Sequence, residues 1–245
     1  MNNSISVKNL TKKYSHFTLD NLSLEVPSGS VIGLVGANGA GKTTLIKLLL
    51  GIIKKDKGNI HIIDKEDIGI ILDDAFLPEL LKINDINKIM KNIYQNWDET
   101  LFYQYLQRFN LTNNLLIKSL SKGMKKKLEI AVSLAHKPKL LILDEPTSGL
   151  DPIVRGEVLD IFREFMESDD HSILISSHIT SDLESIADYI ALLDQGKLIF
   201  KESITNIMDN YGIIHCTKEM FEKLKDNAVS YRKNKYDYEI LIKNK

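Results

Sequence analysis

The chain has 245 residues, of which 43% are apolar and 27% charged. That length supports a full hydrophobic core in one large domain or two small ones, and the composition is that of an ordinary globular protein. Lys and Arg total 32 against 33 Asp and Glu, a formal net charge of −1, which argues against a surface built mainly for nucleic acid. The single cysteine, Cys216, has no partner in the chain for a disulfide and fits a reducing compartment. Four of the basic residues are arginines (Arg108, Arg155, Arg163 and Arg232), leaving few groups for bidentate anion clamps. No stretch approaches the roughly 20 apolar residues of a membrane helix; the longest candidate, 45–53, is interrupted by Lys47 and followed by Lys54 and Lys55. The N-terminus lacks a charged segment followed by an apolar run, so the expectation is a cytosolic chain without a secretory signal. If it works at a membrane, another chain must supply the span.

Residues 5–10 and 19–26 alternate apolar and polar, predicting strands, with a turn at Pro27-Ser28-Gly29. Residues 31–35 form a short apolar run suited to a strand buried on both faces. A Gly-rich turn follows, then a helix from about 42 to 50, with Gly51 as its C-cap. Short strands are predicted at 60–63 and 68–72. From about 79 to 136 aromatic and leucine residues recur at helical spacing (Leu101, Phe102, Tyr105, Leu106, Phe109), predicting a helical insertion. Sheet texture returns at 139–143. Asp151 can cap a helix with Pro152 at its first position and 153–166 as its body. A strand at 172–176 precedes Ser181-Asp182-Leu183-Glu184, a capping-box pattern that predicts the next helix start. Residues 189–193 and 197–201 flank Asp194-Gln195-Gly196 as a hairpin. The last 45 residues are polar and mixed, with a helix predicted near 218–225 and a strand near 238–242.

Two runs carry chemistry. Gly36-Ala37-Asn38-Gly39-Ala40-Gly41-Lys42-Thr43-Thr44 fits G-x-x-x-x-G-K-[ST], follows a predicted strand and opens a predicted helix, the context this motif requires. Glycines let the backbone wrap an anion, and N–H groups at a helix start point at phosphate oxygens. Lys42 neutralises β/γ-phosphates and Thr43 can ligate Mg²⁺. Leu140-Leu141-Ile142-Leu143-Asp144-Glu145 is a buried strand delivering carboxylates at its C-terminal edge, where ligands sit in open α/β sheets. Alone it reads as a strand entering a turn. With 36–44 upstream, Asp144 is placed to hold Mg²⁺ through water, and Glu145 to orient or deprotonate the water that attacks the γ-phosphorus.

The runs between and after these narrow the reading. Leu120-Ser121-Lys122-Gly123-Met124 precedes a helix, Ser148-Gly149-Leu150-Asp151 follows Glu145, and Ser177-His178 ends the next strand. In order and spacing the chain resembles the ATP-binding cassette family, the nucleotide-binding subunits of ABC transporters, over about residues 5–200. The resemblance implies an α/β P-loop NTPase fold with a mixed central sheet, an antiparallel β subdomain and a helical subdomain inserted at about 79–136. Residues 1–200 would form this ATPase domain and 201–245 a small appendage of mixed helix and strand. The resemblance also implies that Tyr14 stacks on adenine and that Gly36, Asn38, Gly39, Ala40, Gly41, Lys42, Thr43 and Thr44 cradle the phosphates of ATP. Ser121 and Gly123 would touch the partner's ATP across a head-to-tail dimer, Asp151 would link the two sites, and His178 would contact the γ-phosphate and position the water.

The chain departs from the family pattern in three places. Lys122 and Met124 stand where the commonest signature has Gly and Gln, and Asp73 stands where a Gln usually contacts Mg²⁺ and relays to the membrane subunit. These forms resemble a branch of bacterial exporters of peptides, antibiotics or related amphiphiles. The expected partners are a second ATP-binding subunit, identical or paralogous, and a separate transmembrane permease, placing the chain on the cytoplasmic face of the membrane. A cassette protein acting on ribosomes or DNA is the alternative; those usually carry two cassettes or a long coiled-coil insertion. A regulatory partner that only binds nucleotide is another, against which Lys42, Asp144, Glu145 and His178 are all intact. Lys122, Lys125, Lys126 and Lys127 form a basic cluster, read as a solvated helix face and not a nucleic-acid site, because aromatic residues do not interleave with it. Trp97 and Cys216 are read as packing residues.

Overall fold

The computed structural model describes residues 3–73 and 77–243. The chain divides into two compact units, 1–201 and 202–245. In the first, β1 (Asn3–Lys13) and β2 (Thr18–Pro27) form an antiparallel pair, followed by β3 (Val31–Val35), α1 (Lys42–Leu49), β4 (Lys57–Ile62) and β5 (Ile68–Ile71). The helical stretch holds α2 (Ile83–Ile93), α3 (Glu99–Arg108) and α4 (Lys122–Leu134). Then come β6 (Leu140–Asp144), α5 (Pro152–Phe165), β7 (Ser172–Ser176), α6 (Thr180–Ile186), β8 (Tyr189–Asp194) and β9 (Lys197–Ser203).

The central sheet has the order β5-β6-β7-β3-β8-β9. Its first five strands are parallel. β8 and β9 form a hairpin whose two turn residues, Gln195 (φ 44) and Gly196 (φ 79), both have the positive φ of a type I′ turn. β1, β2 and β4 make a separate antiparallel sheet in the order β2-β1-β4. Parallel strands need cover on both faces, and successive residues alternate between two cores. Leu141, Leu143, Ile173 and Ile175 face the core shared with α2–α5. Leu140, Ile142 and Leu174 face the core shared with α1 and the antiparallel sheet.

The helix starts follow from their caps. Ser121 Oγ accepts from Met124 N at 3.2 Å to open α4. Asp98 accepts from Leu101 N at 2.9 Å to open α3, which buries Phe102 and Leu106 one turn apart. Asp151 accepts from Ile153 and Val154 N at 3.1 and 3.0 Å, with Pro152 as first residue of α5. α1 ends at Leu49, and Gly51 takes the left-handed conformation just beyond its C-cap, Leu50.

Two readings need correction. The capping box at 181–184 does not form: α6 begins at Thr180, its N-cap Ile179 provides no side-chain bond, and Ser181 accepts from Arg155 instead. The lysine cluster on α4 is a solvated face only in part: Lys122 is exposed, Lys125 and Lys127 are half-buried and Lys126 is buried. Lys125, Lys126 and Lys127 pair with Glu79, Glu129 and Glu157 at 3.0, 2.8 and 2.5 Å, and the Lys122 chain lies over Gly149.

The second unit, described by itself, holds α7 (Ile204–Asn210), β10 (Tyr211–Cys216), α8 (Lys218–Leu224), β11 (Ala228–Lys233) and β12 (Tyr238–Lys243). Its antiparallel sheet has the order β10-β12-β11. Phe221 of α8 stacks on Tyr238 at 4.2 Å and meets the edge of Tyr231 at 4.8 Å. Among the described residues no helix is long and apolar enough to cross a membrane.

Candidate nucleotide site

The site lies at the C-terminal edge of the parallel strands, where chain direction and sheet twist leave a crevice. β3 ends at Val35 and the chain wraps tightly into α1. A Cβ on Gly36 would sit 2.4 Å from the Leu193 carbonyl oxygen, so only glycine lets the loop leave the sheet there. Gly41 adopts φ 112 and is the N-cap of α1. Lys42 is buried, and its ammonium donates to the loop carbonyls of Gly36 (2.7 Å) and Ala37 (3.4 Å). Ala40 is buried, and its carbonyl accepts from Gly196 N at 3.0 Å, fixing the loop to the hairpin turn.

An open groove of about 530 Å³ covers this loop, lined by His16, Phe17, Asn38, Gly39, Gly41, Lys42, Thr43, Thr44, Asp73 and Glu145. At its floor Thr43 Oγ1 donates to Asp144 Oδ2 at 2.8 Å, and Ser176 Oγ donates to Asp144 Oδ1 at 2.5 Å. Glu145 sits just beyond, in the left-handed region at φ 50, its N–H directed to the Ser176 carbonyl (3.1 Å) and hydroxyl (3.2 Å). The Glu145 carboxylate pairs with His178 Nδ1 at 2.7 Å and accepts from His178 N at 3.3 Å.

The structure thus gathers the 36–44 loop, Asp73, Asp144, Glu145 and His178 at one end of the sheet. Tyr14 stands at the rim, 46% exposed, its ring 6.5 Å from that of Phe17; Phe17, not Tyr14, lines the groove. Ser121, Gly123 and Asp151 are not among the groove-lining residues; within this chain Ser121 and Asp151 act as helix caps. Asp74 lies outside the described residues. Sequence reasoning missed Ser176, whose role follows only from the β6–β7 register that sets Asp144 beside it. It also passed over His16 and Phe17, which carry no motif of their own.

The oxygen donors at the floor suit a hard cation. Thr43, Asp144 and Asp73 offer hydroxyl and carboxylate oxygens of the kind Mg²⁺ takes. Among the described residues no cluster of three or more His, Cys, Asp or Glu forms a closed metal cage.

Known proteins resemble this chain over most of its length. Residues 19–148 match the ABC transporter family. A lantibiotic transport ATP-binding protein of Streptococcus pyogenes is 36% identical over 229 residues, covering 89% of this chain and 99% of the relative. A bacitracin transport ATP-binding protein of Bacillus licheniformis is 37% identical over 215 residues, covering 81% and 69%. A solved structure described as the ATP-binding subunit of an ABC transporter superposes with a TM-score of 0.75 at 27% identity, covering 83% of this chain and 91% of that one. A phosphate loop after β3, with Asp144 and Glu145 at the end of β6 in the same parallel sheet, thus occurs in a chain whose relatives over nearly its whole length are ATP-binding proteins of transporters: the protein belongs to the ABC transporter family and is one of its ATP-binding subunits.

Proposed function

We propose that the chain is the motor of an exporter: it hydrolyses ATP between two head-to-tail cassettes and drives a separate membrane permease. The observation that carries this is the contact of Glu145 with His178 (2.7 Å), with Glu145 lining the same groove as the phosphate loop. A carboxylate in that position can accept the proton of an attacking water, and His178 holds it in one orientation. Lys42 exchanges the carbonyls of Gly36 and Ala37 for phosphate oxygens when nucleotide enters. The N–H groups from Asn38 to Thr44 and the start of α1 add their dipoles. Phe17, with Tyr14 beside it, offers aromatic surface to adenine. Thr43, Asp144 and Asp73 are the residues that would hold Mg²⁺, which supplies charge neutralisation at the β/γ-phosphates.

Ser121, Gly123 and Asp151 belong to the second half of the account. Two chains facing head to tail would place the α4 N-terminus of each over the other's nucleotide. The relatives that transport lantibiotics and bacitracin support a peptide or antibiotic as the exported substrate. Steady-state phosphate release by the purified chain is the test. Wild-type turnover with loss in both Lys42→Ala and Glu145→Gln supports the reading; full activity in Glu145→Gln overturns the assignment of the base.

A further inference from the structure

Asp182 is fully buried, yet it lines no part of the groove. Its carboxylate accepts from Thr147 Oγ1 at 2.6 Å and from Arg155 Nε at 2.5 Å; Arg155 Nη2 adds a contact to the same carboxylate and donates to Ser181 Oγ at 2.6 Å. A buried ion pair is a poor device for stability alone, because apolar residues of the same volume hold a core as well or better. Its location is the informative part. Thr147 lies two residues past Glu145, Arg155 four past Asp151, and Asp182 four past His178.

The Glu145–His178 contact joins the ends of two separate strands, β6 and β7. Glu145 holds a backbone conformation that a non-glycine residue keeps only where its surroundings fix it. The His178 side chain is 55% exposed and has little packing to place it. A hydrogen bond of this kind tolerates only a few tenths of an ångström. The Asp182 clusters tie the turn after Glu145 to the helix after His178 and so fix both ends of that contact from behind.

We propose that Asp182 is a positioning residue for ATP hydrolysis, setting the Glu145–His178 contact through Thr147 and Arg155. The inference rests on the assignment of Glu145 and His178 as the hydrolytic pair. Thr147→Val removes one donor at nearly constant shape, and Asp182→Asn removes the charge. In the full chain we expect kcat to fall by about 3-fold or more in Thr147→Val and about 10-fold or more in Asp182→Asn, with KM within about 2-fold. Arg155→Lys should retain more activity than Arg155→Ala. A residue that acts through Glu145 adds nothing once Glu145 is gone, so Asp182→Asn should leave the residual rate of Glu145→Gln unchanged. Unchanged kcat in folded Thr147→Val, a loss carried by KM alone, or losses that multiply with Glu145→Gln overturn the proposal. If Asp182→Asn does not fold, Thr147→Val in both backgrounds decides. Full activity in Glu145→Gln itself marks a failure of the underlying site assignment, and the positioning role falls with it.

Discussion

Gly123→Ala separates what the chain needs for its own fold from what it offers a partner. Gly123 is the second residue of α4, and a Cβ there would meet nothing closer than Val154 Cγ1 at 3.8 Å, ordinary van der Waals contact. Its φ is not in the left-handed region, so alanine fits without strain. Replacing a helical glycine gains up to about 1 kcal/mol, less in a first turn. Thermal unfolding should therefore be unchanged or shift upward by a few degrees. A nucleotide phosphate approaching that helix start from a second subunit would come to about 2.9 Å of backbone N–H groups, and a methyl group intrudes on that approach by more than an ångström. A misplacement of that size costs about 100-fold in turnover. Melting, binding of a fluorescent ATP analogue and phosphate release are measured on the same preparation. The account expects normal stability, normal binding by the isolated chain and a large loss of hydrolysis. Wild-type hydrolysis would refute the assignment of this helix start to a partner's nucleotide.

Gly36→Ala forces a methyl group to 2.4 Å from the Leu193 carbonyl, and should abolish analogue binding while the helical stretch stays folded, read by fluorescence titration and circular dichroism. Phe102 is fully buried between Trp97 and Tyr103, so Phe102→Ala should destabilise by about 3–5 kcal/mol in urea unfolding. His136 is buried, stacked on Tyr94 at 4.0 Å and bonded to the Ile68 carbonyl, and burial holds its pKa below the ordinary 6.5. The unfolded chain then takes up a proton that the folded chain resists, so this contribution to stability is present above about pH 6.5 and is lost as pH falls towards the lowered value. His136→Gln should flatten the fall in melting temperature between about pH 7 and 5.5, relative to wild type.

Local chemistry was legible in the sequence; long-range partnership was not. The 36–44 run announces a phosphate loop because the required residue types and their flanking strand and helix are contiguous. Asp151 declares itself as a cap through Pro152, and the hairpin at Gln195-Gly196 through its turn residues. Ser181 and Glu184 show where such reading fails: their spacing satisfies a capping box, but Arg155, distant in sequence, takes the Ser181 hydroxyl as its acceptor, and α6 begins at Thr180. The α4 lysines likewise look solvated until Glu79 and Glu157 arrive from other elements. In 202–245 the predictions near 218–225 and 238–242 fall on α8 and β12, but α7, β10 and β11 went unread. β11 is almost wholly exposed, so it carries little hydrophobic periodicity to detect.

The central claim, that two copies of this cassette close over ATP, is tested most directly by the mass of the Glu145→Gln chain in saturating ATP and Mg²⁺, measured by light scattering on a sizing column. One chain weighs 27.9 kDa. The account predicts a species of about twice that mass that forms with ATP, is absent with ADP, and is lost when Gly123→Ala is added. A single-chain mass under all these conditions would contradict a homodimeric motor.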